Sequence, residues 1–146
     1  MTGLTRAQAI QTAIDAEKAA AAFYARLARN TEDIQAQKVL EKLAADELEH
    51  EQKLLELAAE LGESKLPEVG LKLADGIEIR ADWYEVDNIT YKQALDIALD
   101  GERNAELYYA ALAVDTTPEV EAFFQGMSKV ERLHANWVSE LIAMQS

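Results

Sequence analysis

The chain has 146 residues, of which 49% are hydrophobic, and it carries a formal net charge of −13. This size and composition predict one domain with a sizeable core. The negative charge argues against nucleic acid and anionic membrane surfaces as partners. The lack of cysteine excludes disulfides, iron–sulfur clusters and thiolate zinc sites. With no signal-like apolar run at its N-terminus and no membrane-spanning stretch, the protein is expected to be cytoplasmic.

Two long helices are predicted in the first half of the chain, at about residues 5–29 and 32–61. Alanine is abundant there, and apolar residues recur at helical spacing. Thr31 is the predicted N-cap of the second helix, and Gly62 is its predicted end. The connection is short, so the two helices are expected to be antiparallel neighbours.

The helical period is lost over residues 63–89, which we interpret as a long crossover connection. Two further helices are predicted at about residues 91–114 and 118–144. Thr90 opens the third helix with a capping box, and Pro118 suits the first turn of the fourth. The chain is therefore predicted to form a single all-α domain over residues 1–146, with two antiparallel helix pairs joined by one crossover.

Each predicted helix has an apolar stripe that is interrupted by glutamate, or by glutamate and histidine. The first and third helices each carry one lone glutamate in the stripe, and the second and fourth each carry a Glu-x-x-His pair. The interrupting residues are Glu17, Glu47, His50, Glu102, Glu131 and His134. A spacing of three places Glu and His one turn apart on the same face. Burying such groups is costly unless their charge is compensated.

The two halves of the chain repeat the same arrangement, a helix with a lone Glu followed by a helix with Glu-x-x-His. In four-helix bundles this set of residues forms a di-metal carboxylate site. The oxygen-rich ligands, with one imidazole per metal, favour two iron ions, with manganese or a mixed pair as alternatives. One such motif alone is weak evidence, since glutamate is common on solvated helix faces, but two motifs and two lone glutamates are much harder to obtain by chance.

Four other side chains are candidates for supporting roles. Glu106, one turn after Glu102, is either an additional ligand or a solvated residue. Asp46 could orient a histidine through its second ring nitrogen. Tyr24 and Tyr109 continue the apolar stripes, so they are expected to pack in the core, with a hydrogen bond to a ligand carboxylate or a redox role as the alternative.

On these motifs and their order, the whole chain resembles the ferritin-like superfamily and, within it, the rubrerythrin group. The resemblance implies a di-iron site that reacts with hydrogen peroxide or dioxygen, a homodimer or larger assembly, and a role in oxidative-stress defence or iron handling. Rubrerythrins usually carry a rubredoxin domain with four cysteines. This sequence has none, so electrons would come from a separate rubredoxin-type donor. Ala105 stands where the group has an additional glutamate.

The expected function is therefore a rubrerythrin-like peroxide or dioxygen reductase whose catalytic residues are the four metal-binding glutamates. A ferroxidase that feeds iron storage is the main alternative. A non-catalytic metal-binding helical module is another, and oxygenation of an organic substrate is a third, which would need an apolar pocket beside the metals.

Overall fold

Four α-helices make up most of the part of the chain that the computed structural model describes, residues 6–62, 90–114 and 116–144. They are α1 (Arg6–Arg29), α2 (Ile34–Glu60), α3 (Tyr91–Leu112) and α4 (Pro118–Ala143). The predicted all-α four-helix bundle is confirmed, with α1 packed on α2 and α3 on α4. The predicted crossover at 63–89 lies outside the described residues. None of the described helices is both long and apolar enough to cross a lipid bilayer.

The start of α2 differs from the prediction, which placed its N-cap at Thr31. The cap is Asp33, whose carboxylate accepts hydrogen bonds from the backbone N–H groups of Gln35 and Ala36, at 2.9 and 3.1 Å. The Thr31 hydroxyl instead donates to the carbonyl oxygen of Leu27, at 2.7 Å, in the last turn of α1. A carboxylate is the stronger acceptor for the unpaired N–H groups of a helix start, and it also complements the helix dipole.

The start of α3 follows the sequence signature fully. The Thr90 hydroxyl accepts from the Gln93 backbone N–H at 3.0 Å, and the Gln93 side chain accepts from the Thr90 N–H at 2.8 Å. We expect Thr90→Ala to lower the free energy of unfolding by about 1 kcal/mol, because the backbone N–H of Gln93 loses its side-chain acceptor. Urea denaturation would measure this change. Thr117→Ala is the matched control, since the Thr117 side chain makes no cap hydrogen bond, and an equal loss there would contradict the explanation.

The directions of the helices follow from the contacts across the bundle. Tyr24, late in α1, bonds to Glu102 in the middle of α3, whereas Tyr109, late in α3, bonds to Glu17 in the middle of α1. Helices α1 and α3 are therefore antiparallel. Helices α2 and α3 run in the same direction, because both begin in one apolar cluster and end in the other. Asp46 of α2 also contacts His134 of α4. Parallel second and third helices are the layout of bundles that have one long crossover.

The apolar core has two parts, one toward each end of the bundle. One cluster joins the start of α1 and α4 to the end of α2 and α3, and includes Ile10, Leu54, Tyr109 and Phe124. The other occupies the opposite end and includes Tyr24, Leu40, Leu95 and Val138. Between these clusters lies a layer of buried polar residues, which is the candidate functional site.

Candidate metal centre

The six polar residues predicted from the interrupted stripes meet in one layer at the middle of the bundle. All of them are 3% exposed or less: Glu17, Glu47, His50, Glu102, Glu131 and His134. Each helix contributes to the layer, because its acidic position follows the same 3.6-residue period as the apolar positions around it. Four carboxyl groups this deeply buried require compensating positive charge or protons.

The six residues form two overlapping groups of possible metal ligands. The first group is Glu17, Glu47, His50 and Glu131, and the second is Glu47, Glu102, Glu131 and His134. Within each group the ligand atoms all lie within 4.8 Å of one another. Glu47 and Glu131 belong to both groups and could therefore be shared by two ions, whereas Glu17 and Glu102 each belong to one group.

The distances around the histidines place both Nδ1 atoms toward the shared space. His50 Nδ1 is 2.9 Å from Glu131 Oε1 and 3.4 Å from Glu17 Oε2. His134 Nδ1 is 3.0 Å from Glu47 Oε1 and 3.6 Å from Glu102 Oε2. The two imidazole rings are nearly parallel, with centroids 5.6 Å apart. The pseudo-twofold repeat of the sequence is thus reproduced in the site.

The unsatisfied hydrogen-bonding atoms of these residues indicate that the site fits a pair of metal ions. One nitrogen or oxygen atom from each of the six side chains is buried without a hydrogen-bond partner. Such orphaned atoms are rare in folded proteins, and here they converge on one space. Two divalent cations would satisfy all six atoms and balance the four carboxylates in charge. Oxygen ligands with imidazole suit iron or manganese.

Two tyrosines hold the lone glutamates from the opposite helix. The Tyr24 hydroxyl donates to Glu102 Oε1 at 2.6 Å, and the Tyr109 hydroxyl donates to Glu17 Oε1 at 2.7 Å. Both tyrosines are fully buried, so they pack in the core and also bond to the candidate ligands. In each carboxylate the other oxygen, Oε2, is left facing the centre. The hydroxyls thereby leave one oxygen of each carboxylate directed at the centre, where it could bind a metal ion.

We expect Tyr109→Phe to weaken metal binding by roughly 10-fold or more, the usual effect of losing an outer hydrogen bond to a ligand. The ring remains in the core, so folding should be preserved, but Glu17 would be free to rotate. Calorimetric titration with Mn²⁺ would measure the affinity. Tyr108→Phe is the control, since the Tyr108 hydroxyl donates to the Ala9 carbonyl oxygen, outside the centre. The same loss in both variants would refute a specific role for Tyr109.

Asp46 and Glu106, two acidic residues considered as supporting groups, have different surroundings. Asp46 Oδ2 lies 3.0 Å from His134 Nε2, on the side of the ring that faces away from the centre. Glu106 instead pairs with Arg132, with 2.7 Å between Oε2 and Nε, and belongs to neither ligand group. One residue beyond Ala105, it is turned by about 100° out of the buried face. Ala105 itself is buried in the apolar core.

Without metal, the centre retains protons. Burial raises the pKa of Glu47 well above its usual range, and the charges of Glu17 and Glu102 add to the rise. Burial and the neighbouring carboxylates raise the pKa of Glu131 in the same way. Burial opposes the charge on His134, but the close carboxylates of Glu102 and Glu47 outweigh burial and raise the pKa to about 11. For Glu102, the close side chains of Glu131 and His134 and the hydrogen bond from Tyr24 outweigh burial and lower the pKa.

Metal binding is therefore expected to release protons, because ligands bind metal in their deprotonated forms. Three groups with raised pKa values, Glu47, Glu131 and His134, hold protons more firmly than the free side chains do and must give them up. The apparent affinity should consequently rise as the pH rises from 6 to 8. Titration with Mn²⁺ in buffers of different ionisation enthalpy would count the protons released. An affinity that does not depend on pH would contradict this expectation.

Comparison with known proteins supports the geometric assignment. The family model described as Rubrerythrin matches residues 8–92, which is more than half of the chain. This region contains α1 and α2 with Glu17, Glu47 and His50, whereas the three candidate ligands of α3 and α4 lie beyond it and are assigned by geometry. No curated protein matches the chain significantly. The family match, the four-helix bundle and the buried Glu/His layer agree, and the chain belongs to the rubrerythrin family.

Proposed function

We propose that the protein is a non-haem di-iron oxidoreductase that reduces hydrogen peroxide or, alternatively, dioxygen. The observation that carries this proposal is the convergence of six buried, unpartnered ligand atoms on one space. Membership of the rubrerythrin family, whose domain generally binds a di-iron centre, adds support.

In this proposal His50 and Glu17 would hold one iron ion, and His134 and Glu102 would hold the other. Glu47 and Glu131, which belong to both ligand groups, would be available to both ions. When bound, two ferrous ions would supply the two electrons that, with two protons, convert one molecule of hydrogen peroxide into two of water.

The protein itself contributes orientation and a dry environment. The Tyr109 hydroxyl stays protonated, because burial and the nearby Glu17 and Glu131 raise its pKa well above the usual range. It therefore remains a hydrogen-bond donor that fixes Glu17 Oε1. The apolar clusters at the two sides of the layer keep bulk water away. In such surroundings the electrostatic interactions between ligands and metal are stronger than in water.

The electrons that restore the ferrous state are proposed to come from a separate protein, such as a rubredoxin-type donor. The sequence contains no cysteine with which to hold an electron-relay iron of its own. The proposed setting is oxidative-stress defence in the cytoplasm, as a homodimer or larger assembly.

Iron oxidation for storage is the second candidate, and one observation favours it. The position where the group has an additional glutamate is the buried Ala105, and the next carboxylate, Glu106, is held by Arg132. Within residues 6–62, 90–114 and 116–144, neither residue joins the two ligand groups, which comprise six side chains. A centre without the additional glutamate would suit iron that arrives, is oxidised and leaves.

The deciding experiment is anaerobic loading with ferrous iron, followed by stopped-flow mixing with hydrogen peroxide or, separately, with dioxygen. Two irons per chain, oxidised much faster by peroxide, would support the reductase. Faster oxidation by dioxygen, with continued iron uptake beyond two per chain, would support the ferroxidase. A bound metal pair that neither oxidant changes would indicate a non-catalytic module. Iron binding that survives both Glu47→Ala and Glu131→Ala would refute the centre.

A further inference from the structure

The two histidines of the centre differ in what holds the ring nitrogen that faces away from it. His134 Nε2 contacts Asp46 Oδ2 at 3.0 Å. For His50 Nε2, no hydrogen-bond partner is found among residues 6–62, 90–114 and 116–144. This difference between the two histidines follows from the two halves of the sequence, which are not identical before the Glu-x-x-His motif. Asp46 directly precedes the Glu-x-x-His of α2, whereas the matching position in α4 is Val130, which has no acceptor.

The Asp46 side chain is itself fixed in place. It is only 13% exposed, and its second oxygen, Oδ1, is 2.5 Å from Lys42 Nζ, one turn earlier on α2. Each carboxylate oxygen thus has its own partner, one on α2 and one on α4. This arrangement restricts rotation of the carboxylate and keeps Oδ2 directed at the imidazole.

The contact determines which nitrogen of His134 is available to a metal. An ionised carboxylate only accepts hydrogen bonds, so His134 Nε2 must carry the hydrogen. When the ring gives up its second proton on metal binding, that proton leaves from Nδ1, whose lone pair then faces the centre, where this atom is buried. The nearby negative charge also makes the imidazole a stronger ligand. His50 has no such contact within the described helices, so no carboxylate behind its ring fixes its tautomer.

We propose that the two metal positions have unequal affinities and that the position served by His134 fills first, with Asp46 as its positioning residue. This inference rests on the di-metal centre of the proposed function. It concerns the order of metal binding and does not depend on which oxidant the loaded protein reduces.

The test is an anaerobic titration with Co²⁺. Calorimetry and the absorption of the bound ion would both monitor the binding steps. The wild-type protein should bind two ions in steps that differ at least about 10-fold in affinity. Asp46→Ala should weaken the tighter step by roughly 10–100-fold and leave the weaker one unchanged. Asp46→Asn, which keeps an acceptor without charge, should fall between these limits. Glu49→Ala is the matched control on α2, because Glu49 is exposed and pairs with Lys53 in a surface contact.

A second measurement reads the tautomer directly. The sequence contains only two histidines, so nitrogen NMR of the Zn²⁺-loaded protein resolves both rings. We expect one ring, that of His134, to show an Nε2 hydrogen protected from exchange with water, and this signal to be lost in Asp46→Ala. Helical circular dichroism of the same sample would verify that the variant is folded.

The possible results distinguish a failure of the unequal metal positions from a failure of the di-metal centre itself. Two equal steps in the wild-type protein, or equal weakening of both steps in Asp46→Ala, would overturn the unequal positions but leave the di-metal centre intact. An Nε2 signal that persists in Asp46→Ala would also overturn the role of Asp46. If the wild-type protein binds no Co²⁺ and no Fe²⁺, both the centre and this inference fail.

Discussion

Glu131→Gln is expected to abolish binding of the metal pair while leaving the metal-free protein folded. Glu131 is one of the two residues common to both ligand groups, so its loss removes a carboxylate from both positions. An amide of the same shape is neutral and a poorer metal ligand. We expect the affinity for Fe²⁺ to fall at least about 100-fold, more than the usual loss when only an outer hydrogen bond to a ligand is removed. Anaerobic metal analysis after gel filtration would measure the bound iron.

The same substitution should stabilise the metal-free protein above pH 5. The folded-state pKa of Glu131 is raised well above its ordinary value of 4.5. A raised pKa contributes stability that is fully present below the unfolded value and is lost as the pH rises through the folded value. Glutamine mimics the protonated form at every pH and avoids that loss. Urea denaturation of wild-type and variant protein without metal, at pH 5 and pH 8, would measure the difference.

Glu121→Gln is the control for this substitution, because Glu121 lies on the exposed surface of the same helix. It removes one negative charge without touching the centre, so iron binding should stay at the wild-type level. Binding that is unchanged in Glu131→Gln would show that the metal lies elsewhere. An unfolded variant would contradict the view that the buried carboxylates destabilise the metal-free bundle.

Metal loading is expected to raise the thermal stability strongly. A ligand that binds only the folded state, at 1,000 times its dissociation constant, contributes about 4 kcal/mol per site. In a protein of this size each kcal/mol corresponds to roughly 2–4 °C in Tm. One filled site should therefore raise Tm by roughly 10–15 °C, and the second site should add to this. Scanning calorimetry under nitrogen, with and without Fe²⁺, would measure the shift.

Two comparisons show whether this stabilisation comes from the centre. Glu131→Gln should show little or no shift with Fe²⁺. Mg²⁺ should also have little effect on the wild-type protein, because it prefers oxygen ligands in an octahedron and keeps several waters. Equal shifts with both metals, or an equal shift in the variant, would instead indicate general binding of cations to a chain with a net charge of −13.

Much of the site could be predicted because its residues obey the helical period. Glu17 and Glu47 occupy positions where an apolar residue is expected, and such an exchange is visible without a structure. The capping box at Thr90 was predictable for a similar reason, since both partners are three residues apart. The N-cap of α2 could not be predicted in this way. Thr31 and Asp33 are both suitable cap residues, and the choice depended on where α1 ended.

The supporting contacts lie across the bundle, and no local pattern encodes them. The sequence indicated that Tyr24 and Tyr109 are buried, but their partners are 78 and 92 residues away. It left Glu106 open as a ligand, and only the packing of α3 on α4 showed that Arg132 holds it. The histidine that Asp46 contacts is the one on α4, although His50 is closer in sequence.

The sequence by itself therefore determined the four helices and the six polar positions of their buried faces, because periodicity and capping act within a few turns of one helix. Only the tertiary structure decided which carboxylates belong to both ligand groups, which oxygen faces the centre and which histidine contacts Asp46. These features depend on atoms of different helices meeting within about 3 Å. Such distances arise only when the helices have packed in one relative orientation.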